Sequence, residues 1–477
     1  MTDYPNTGLL GLVNRGVGLA HGIIPQGVPL GAAPLVPPPS FGTTLPETAV
    51  STRFPTAPGR VADPVKTPLM SGDTEAFLAQ PNAPHNVGLL ATYPGMGFLK
   101  GMSTSEAFHA ATRRIADNLT HLYESSPKTM QEVSPQWYVG GRRMVGSWAD
   151  RWGVAPQSAA AATAVLSPSK DWFENASMAE RTGDILFTKG KMPFSSAMAD
   201  KAKELTSGGK NSDMKALLPS IQSKRLDDLE TPEQKAAWIR LYDEAHNPSH
   251  FRMLAPDGGL GPFMVNADGV TRAKMAWQSN DNVAKSVKAL ESGGDMAKIS
   301  PLLGQRHKVR NFYNNLTHPD QMIGVTADTH QVAAGLLMPL AGGDPAVLHN
   351  LMTNPKTAGA KAALGPDYQA AKGSGVTGFQ GTYPVFEQGT KMAGENLGLL
   401  PHMAQSSTWE PVRQLFVNKS PQAKQAMANI WSSVDRGLLD PAAARDMIMK
   451  TAGGIREPWW MGKAGGLLHA PGLTKTY

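Results

Sequence analysis

The stretch Gly304–Pro339, GQRHKVRNFYNNLTHPDQMIGVTADTHQVAAGLLMP, holds two helix signatures separated by a polar turn. Gly304 supplies a turn that opens a helix carrying Lys308, with Arg306, His307 and Arg310 beside it. A short apolar run follows. Asp328 then stands where an apolar helix over Thr329–Leu340 begins, and an aspartate there suits the N-cap. The bland reading of these residues is a solvated lysine and a helix cap.

Upstream, residues 154–186 read VAPQSAAAATAVLSPSKDWFENASMAERTGDIL. Ser158 is expected to cap an alanine-rich helix that ends near Leu166, because Pro168 breaks it. Ser169, Lys170, Asp171, Trp172 and Asn175 fall on the turn and the start of the next helix. The small side chains allow close approach by a neighbour, which predicts a central position in a helical domain. Ser103 or Ser105 can cap a helix in which Ala107, Phe108, Ala111, Ile115, Leu119 and Leu122 share a face. Gln136–Trp152 interleaves Trp137, Tyr138, Trp148 and Trp152 with Arg142, Arg143 and Arg151; core packing with solvated arginines outweighs a nucleic-acid surface.

From 200 to 298 the pattern is looser. Thr231-Pro-Glu-Gln is a helix start, His250–Val270 resembles a glycine-rich hairpin, and Asp281–Leu290 reads as a helix. Downstream lie Gly- and Lys-rich loops (354–383), helices near 385–398 and 404–417, and one that includes Ala423–Val434. The class predicted is mainly α. Its organisation is a disordered Pro/Gly-rich arm (1–88), a helical domain in two parts (89–199 and 299–452), a long insertion (200–298) and a flexible, peripheral tail (453–477).

The 477 residues are enough for a core of normal size. Hydrophobic content of 41% fits a globular chain, and the +6 net charge is mild, compatible with a polyanionic partner without requiring one. Fourteen of the 38 prolines fall in residues 1–88, which disfavours long helices there. The absence of cysteine excludes disulfides, thiol nucleophiles and Cys-ligated metals. No apolar run reaches the ~18–20 residues of a membrane span. The acidic start argues against a secretory signal.

Several signals carry no function. Asp-Glu-Ala-His at 243–246 spells a helicase box, but no phosphate-binding GxxxxGK[ST] loop accompanies it. His246 and His250 are separated by Pro248, which disfavours a shared helical face, and no third ligand suggests itself, so no metal site is expected.

Three pieces, in chain order, resemble the helix-hairpin-helix DNA glycosylases of the endonuclease III group. Ala164-Val165-Leu166-Ser167-Pro168-Ser169-Lys170-Asp171, followed by Asn175, is similar to a family segment of the form AVLLSxQxxDxxVN. Leu303-Gly304-Gln305-Arg306-His307-Lys308-Val309 is similar to the hairpin LPGVGxKxA, with Leu303 in place of the proline and Arg306 in place of the second glycine. Val325-Thr326-Ala327-Asp328-Thr329-His330 is similar to the family's VDTH, and the separation of Lys308 from Asp328 is close to the family's own. The likeness covers roughly 155–186 and 300–417.

What this resemblance implies is a helix-hairpin-helix glycosylase-like fold that removes a base from DNA without a cofactor. Asp328 would be the catalytic carboxylate and Lys308 the amine of an abasic-site lyase step. Ser169, Lys170, Asp171, Trp172 and Asn175 would wall the base pocket, and Gly304, Arg306, His307 and Arg310 would meet the DNA. The same segments, with Leu90–Met96, Gly261-Pro-Phe, Ala276-Trp277, Gly381-Thr-Tyr-Pro and Thr408-Trp-Glu, also resemble an uncharacterised group of bacteriophage proteins, some of them virion-associated. That likeness implies host cytoplasm or virion as location, DNA and other virion proteins as partners, and a rival reading as a non-catalytic virion or DNA-binding protein. A weaker third reading is an enzyme acting on free nucleosides.

Overall fold

The computed structural model describes residues 74–461, apart from 210, 267, 305–306, 322–323, 352–357, 359–360 and 363–380. These residues are mainly helical, with a single short hairpin among them. Residues 1–73, most of the 354–383 loops and the tail beyond 461 lie outside the described residues.

Local chemistry sets most helix starts. Ser103 and Glu106 form a reciprocal capping box at Thr104–Glu124, and Thr231 with Gln234 does the same at Pro232–His246. Ser158 is not a cap: the alanine-rich helix runs Pro156–Val165 from an extended Ala155, because Pro156 pre-sets the first turn. The Ser158 hydroxyl meets Ser292 Oγ at 2.9 Å instead. The helix after Asp328 is also shorter than expected, Thr329–Leu336, since Leu337 turns left-handed (φ 46°) just before Pro339.

Two large hydrophobic cores organise the described residues, with a small third cluster around Met130, Ala255 and Trp460. One gathers side chains from Trp137 to Leu316 and includes Trp409. The other is built from both flanks, Phe77–Leu122 and Val325–Ile448. Residues 200–298 are not a separate body, because Met214, Trp238, Val283 and Val287 are buried in the first core together with Trp148 and Ala161.

The arm ends earlier than 88. Thr74–Leu78 and Ala83–Leu90 are helices, and they bury Phe77, Val87 and Leu90. Pro84 sits in the first turn of the second helix, where the missing N–H is harmless. The tail is anchored as far as Trp460, which is buried against Met130 and Ala255. The late helix Pro441–Thr451 is an addition that the sequence reading lacked.

The tryptophan stripe of Trp137–Trp152 is core; two of its arginines are paired, and Arg143 is exposed. Arg151 meets Glu180 at 2.8 Å and Asp184 at 2.7 Å, and Arg142 meets Asp320 at 3.5 Å. The antiparallel hairpin Arg252–Leu254 and Leu260–Phe263 turns over Gly140 of that helix. A Cβ at Gly140 would lie 2.1 Å from the Pro256 carbonyl oxygen, so only glycine fits. No helix of the described residues is long and apolar enough to cross a membrane.

The would-be helicase box has a structural use. Asp243 is buried, and its carboxylate pairs with the fully buried Arg181 at 3.1 Å while accepting from Trp277 Nε1 and Asn247 Nδ2. His246 Nε2 meets Ser195 Oγ at 2.9 Å, and His250 Nδ1 meets the Ala273 carbonyl at 3.1 Å. Removing one partner of a buried pair strands the other charge, so Asp243→Ala should cost about 3–5 kcal/mol in urea denaturation. A loss below about 1 kcal/mol, the size for an exposed pair, would contradict this.

Candidate functional site

Lys308 lies in the first turn of His307–Thr317. Asn311 and Asn315 follow at three and seven residues, which puts all three on one helical face. That face is polar and buried. Asn311 Nδ2 donates to the Val325 carbonyl at 2.8 Å, and Asn315 Nδ2 to Thr326 Oγ1 at 3.1 Å. From the other side, Tyr383 Oη donates to the Val325 carbonyl at 2.5 Å and accepts from Ala327 N at 3.0 Å. Asn350 Nδ2 donates to the Ala327 carbonyl at 3.1 Å. These bonds fix the residues that lead into Asp328.

Asp328 is the N-cap of Thr329–Leu336, and its Oδ1 accepts from His330 N at 2.9 Å and Gln331 N at 3.0 Å. Its Oδ2 makes no hydrogen bond among the described residues. Across from it, Lys308 Nζ donates to the Ser167 carbonyl at 3.1 Å, in the turn that follows the alanine-rich helix. Lys308 and Asp328 line one cavity and are not ion-paired among the described residues. The cavity is half open to solvent and encloses about 660 Å³ when the solvent in its mouth is counted.

Aromatic side chains wall it. Trp172 and Phe312 meet edge to face at 5.6 Å, Trp137 and Trp409 at 5.4 Å, and His330 stands edge-on to Trp409 at 6.0 Å. Of the residues expected to form the pocket, Lys170, Asp171, Trp172 and Asn175 line it. Ser169 does not: it is exposed in a left-handed turn (φ 59°), and Ser167 borders the cavity instead.

Two of the lining residues are already engaged. Lys170 Nζ donates to Glu174 at 3.0 Å and to the Ala276 carbonyl. Asp171 caps Trp172–Thr188 through Phe173 N and pairs with Arg413 at 3.0 Å. Asn175 has no such partner, and its amide oxygen and nitrogen are both buried without a hydrogen bond.

The residues expected to meet DNA divide differently. Gly304 adopts φ 65°, as its turn requires. Arg310 is directed at that turn rather than outward, donating to the Gly304 and Ser300 carbonyls. Arg306 and the His307 side chain lie outside the described residues. The residues the sequence reading missed are the pinning groups Asn311, Asn315 and Tyr383, and the walls Trp137, Tyr138, Phe312 and Trp409. The buried asparagine face could have been found from its spacing. Trp409 stands in the Thr408-Trp-Glu motif, but that motif carried no chemistry that would assign it to the site.

The electrostatics follow from enclosure. Lys308 and Asp328 are half-buried, each with a face on the cavity and dense protein behind. Burial pushes the Asp328 carboxyl up, against the Lys308 charge and the two amides. It pushes the Lys308 amine down, against the Asp328 charge. Burial, with Arg413, Lys419 and Lys308 nearby, holds His330 well below its usual value, so that it is neutral at pH 7. The site therefore combines an amine biased toward its nucleophilic form with a directed carboxylate. Replacing Lys308 by Met removes the charge that opposes burial, so the Asp328 pKa should rise further in a carboxyl ¹³C NMR titration. An unchanged or lower value would show that the two do not interact.

Residues 102–215 match a family of unknown function (DUF7178), a segment that contains the alanine-rich helix and the Ser167–Asn175 wall but neither Lys308 nor Asp328. No curated protein and no solved structure matches the chain.

Proposed function

We propose that this protein is a DNA base-removing enzyme, a glycosylase in which Asp328 acts on the sugar and Lys308 gives an abasic-site lyase step. The observation that carries this reading is the meeting of the Lys308 amine and the unbonded Asp328 Oδ2 in one aromatic-walled cavity. A base inside a duplex is unreachable, so it must leave the stack and enter a pocket, where flat rings such as Trp172 and Trp409 suit its faces.

As the C1′–N bond breaks, its electron pair leaves with the base and positive character grows at C1′. Oδ2 of Asp328 is held by its helix cap in position to stabilise that charge. The neutral Lys308 amine then bonds to C1′ and loses its proton as the sugar ring opens to a Schiff base. Loss of a C2′ proton expels the 3′ phosphate and cuts the strand. Ser167 orients the amine through its carbonyl, and Asp171, by capping Trp172–Thr188, positions Trp172 and Asn175.

The test uses duplexes bearing uracil, an oxidised base, an alkylated base or an abasic site, with borohydride added to trap the Schiff base. Wild type should form a covalent adduct that Lys308→Ala loses. Asp328→Asn, which keeps the helix cap, should slow base release by about 100-fold or more. Because the Asp328 pKa is raised, base release should fall as pH drops through that raised value, at a higher pH than for an ordinary aspartate. Neither base release nor adduct on any of these duplexes would overturn the proposal.

A further inference from the structure

We propose that the cavity selects a ring with a carbonyl next to an N–H, the lactam edge of uracil-, hypoxanthine- or guanine-type bases, and that Asn175 is the residue that reads it. The inference rests on base removal only for the ligand being a nucleobase. Asn175 is 1% exposed, borders the cavity, and leaves both amide atoms buried without a partner. A buried amide in that state is destabilising, and native interiors seldom keep one without a use. Its helix begins at the Asp171 cap, so the amide is held on a rigid element.

The other free groups around the cavity decide which edge fits. Trp137 Nε1 and Ser167 Oγ are also buried without partners. Gln405 accepts from Tyr138 Oη at 2.7 Å through Oε1, which leaves its Nε2 with no partner among the described residues. Indole and amide N–H groups can only donate, and Lys308 adds another donor. On the base side Asn175 Oδ1 can only accept, and the Ser167 hydroxyl can accept as well as donate, while Asp171 is engaged and Asp328 faces the sugar in the proposed reaction. A carbonyl satisfies these donors and a neighbouring ring N–H satisfies Oδ1. An exocyclic amino group can meet Oδ1, but it brings further donors to a wall where donors already outnumber acceptors, so a carbonyl edge satisfies more of these groups.

Calorimetric titration of the full chain with free uracil, hypoxanthine, cytosine and adenine tests this directly. Uracil and hypoxanthine should bind in preference to cytosine and adenine, and Asn175→Leu should reduce that preference by about tenfold or more. Asn175→Asp, which replaces the donor by an acceptor, should move the preference toward the amino bases. Asn175→Leu should also unfold at a higher denaturant midpoint than wild type, whereas a structural asparagine would give a lower one. No binding of any base, equal binding of all four, or a preference that survives in Asn175→Leu would overturn the inference. Free-base binding needs no bond cleavage. A protein that binds lactam bases through Asn175 but releases none from DNA would therefore fail as a glycosylase and keep this inference. One that releases bases with the same selectivity in wild type and Asn175→Leu would do the reverse.

Discussion

Residues Gly324–Ala327 run through the interior without belonging to a helix or strand. Their backbone groups, cut off from water, need partners that no ladder provides. Side chains supply them: Asn311 and Tyr383 at the Val325 carbonyl, Tyr383 at the Ala327 amide, and Asn350 at the Ala327 carbonyl. This segment enters the second core, and the helix that pins it belongs to the first. The same bonds that join the cores therefore set Asp328 opposite Lys308. Loss of one asparagine would disturb packing and site geometry together.

Much of the helical architecture was legible because it depends on local chemistry. Ser103, Thr231 and Asp328 announce their helices through side chains that cap them, and the tryptophan stripe of Trp137–Trp152 shows its buried face by periodicity. The errors have a common origin in reading polar or proline-rich residues as solvent-facing. Pro84 marks the start of a helix, Arg310 is directed at backbone carbonyls, and residues 200–298 contribute Trp238 and Val287 to a core begun far upstream. Within the site, the Lys308–Asp328 pair and the wall from Lys170 to Asn175 could be named from motifs. Tyr383 and Trp409 stand in the Gly381-Thr-Tyr-Pro and Thr408-Trp-Glu motifs, but those motifs did not assign them to the site, because they arrive from distant helices and only the fold brings them near.

Buried polar atoms without a partner also occur away from the cavity, at Trp148 Nε1 and Ser286 Oγ for example, but at Asn175 both amide atoms are in that state. Arg181 and Asp243 show how this protein ordinarily accommodates a buried charge, with an ion pair and further hydrogen bonds around it. Asp328 Oδ2, the Asn175 amide and the Trp137 indole N–H are left unmatched around a single aromatic-walled space. Burial shifts both titrating groups toward their neutral forms, which opposes stability at neutral pH and favours a reactive amine. Such a concentration of unmet polar groups fits a ligand that completes them, and it is the physical basis for reading the cavity as a site.

Covalent capture followed by peptide mapping bears most directly on the chemistry. After borohydride reduction with base-modified DNA, the sugar-bearing lysine is identified by mass spectrometry of the digested protein. The account predicts that the label falls on Lys308. A label on Lys170 or Lys419, or none on a DNA from which a base has been released, would contradict the role given to Lys308.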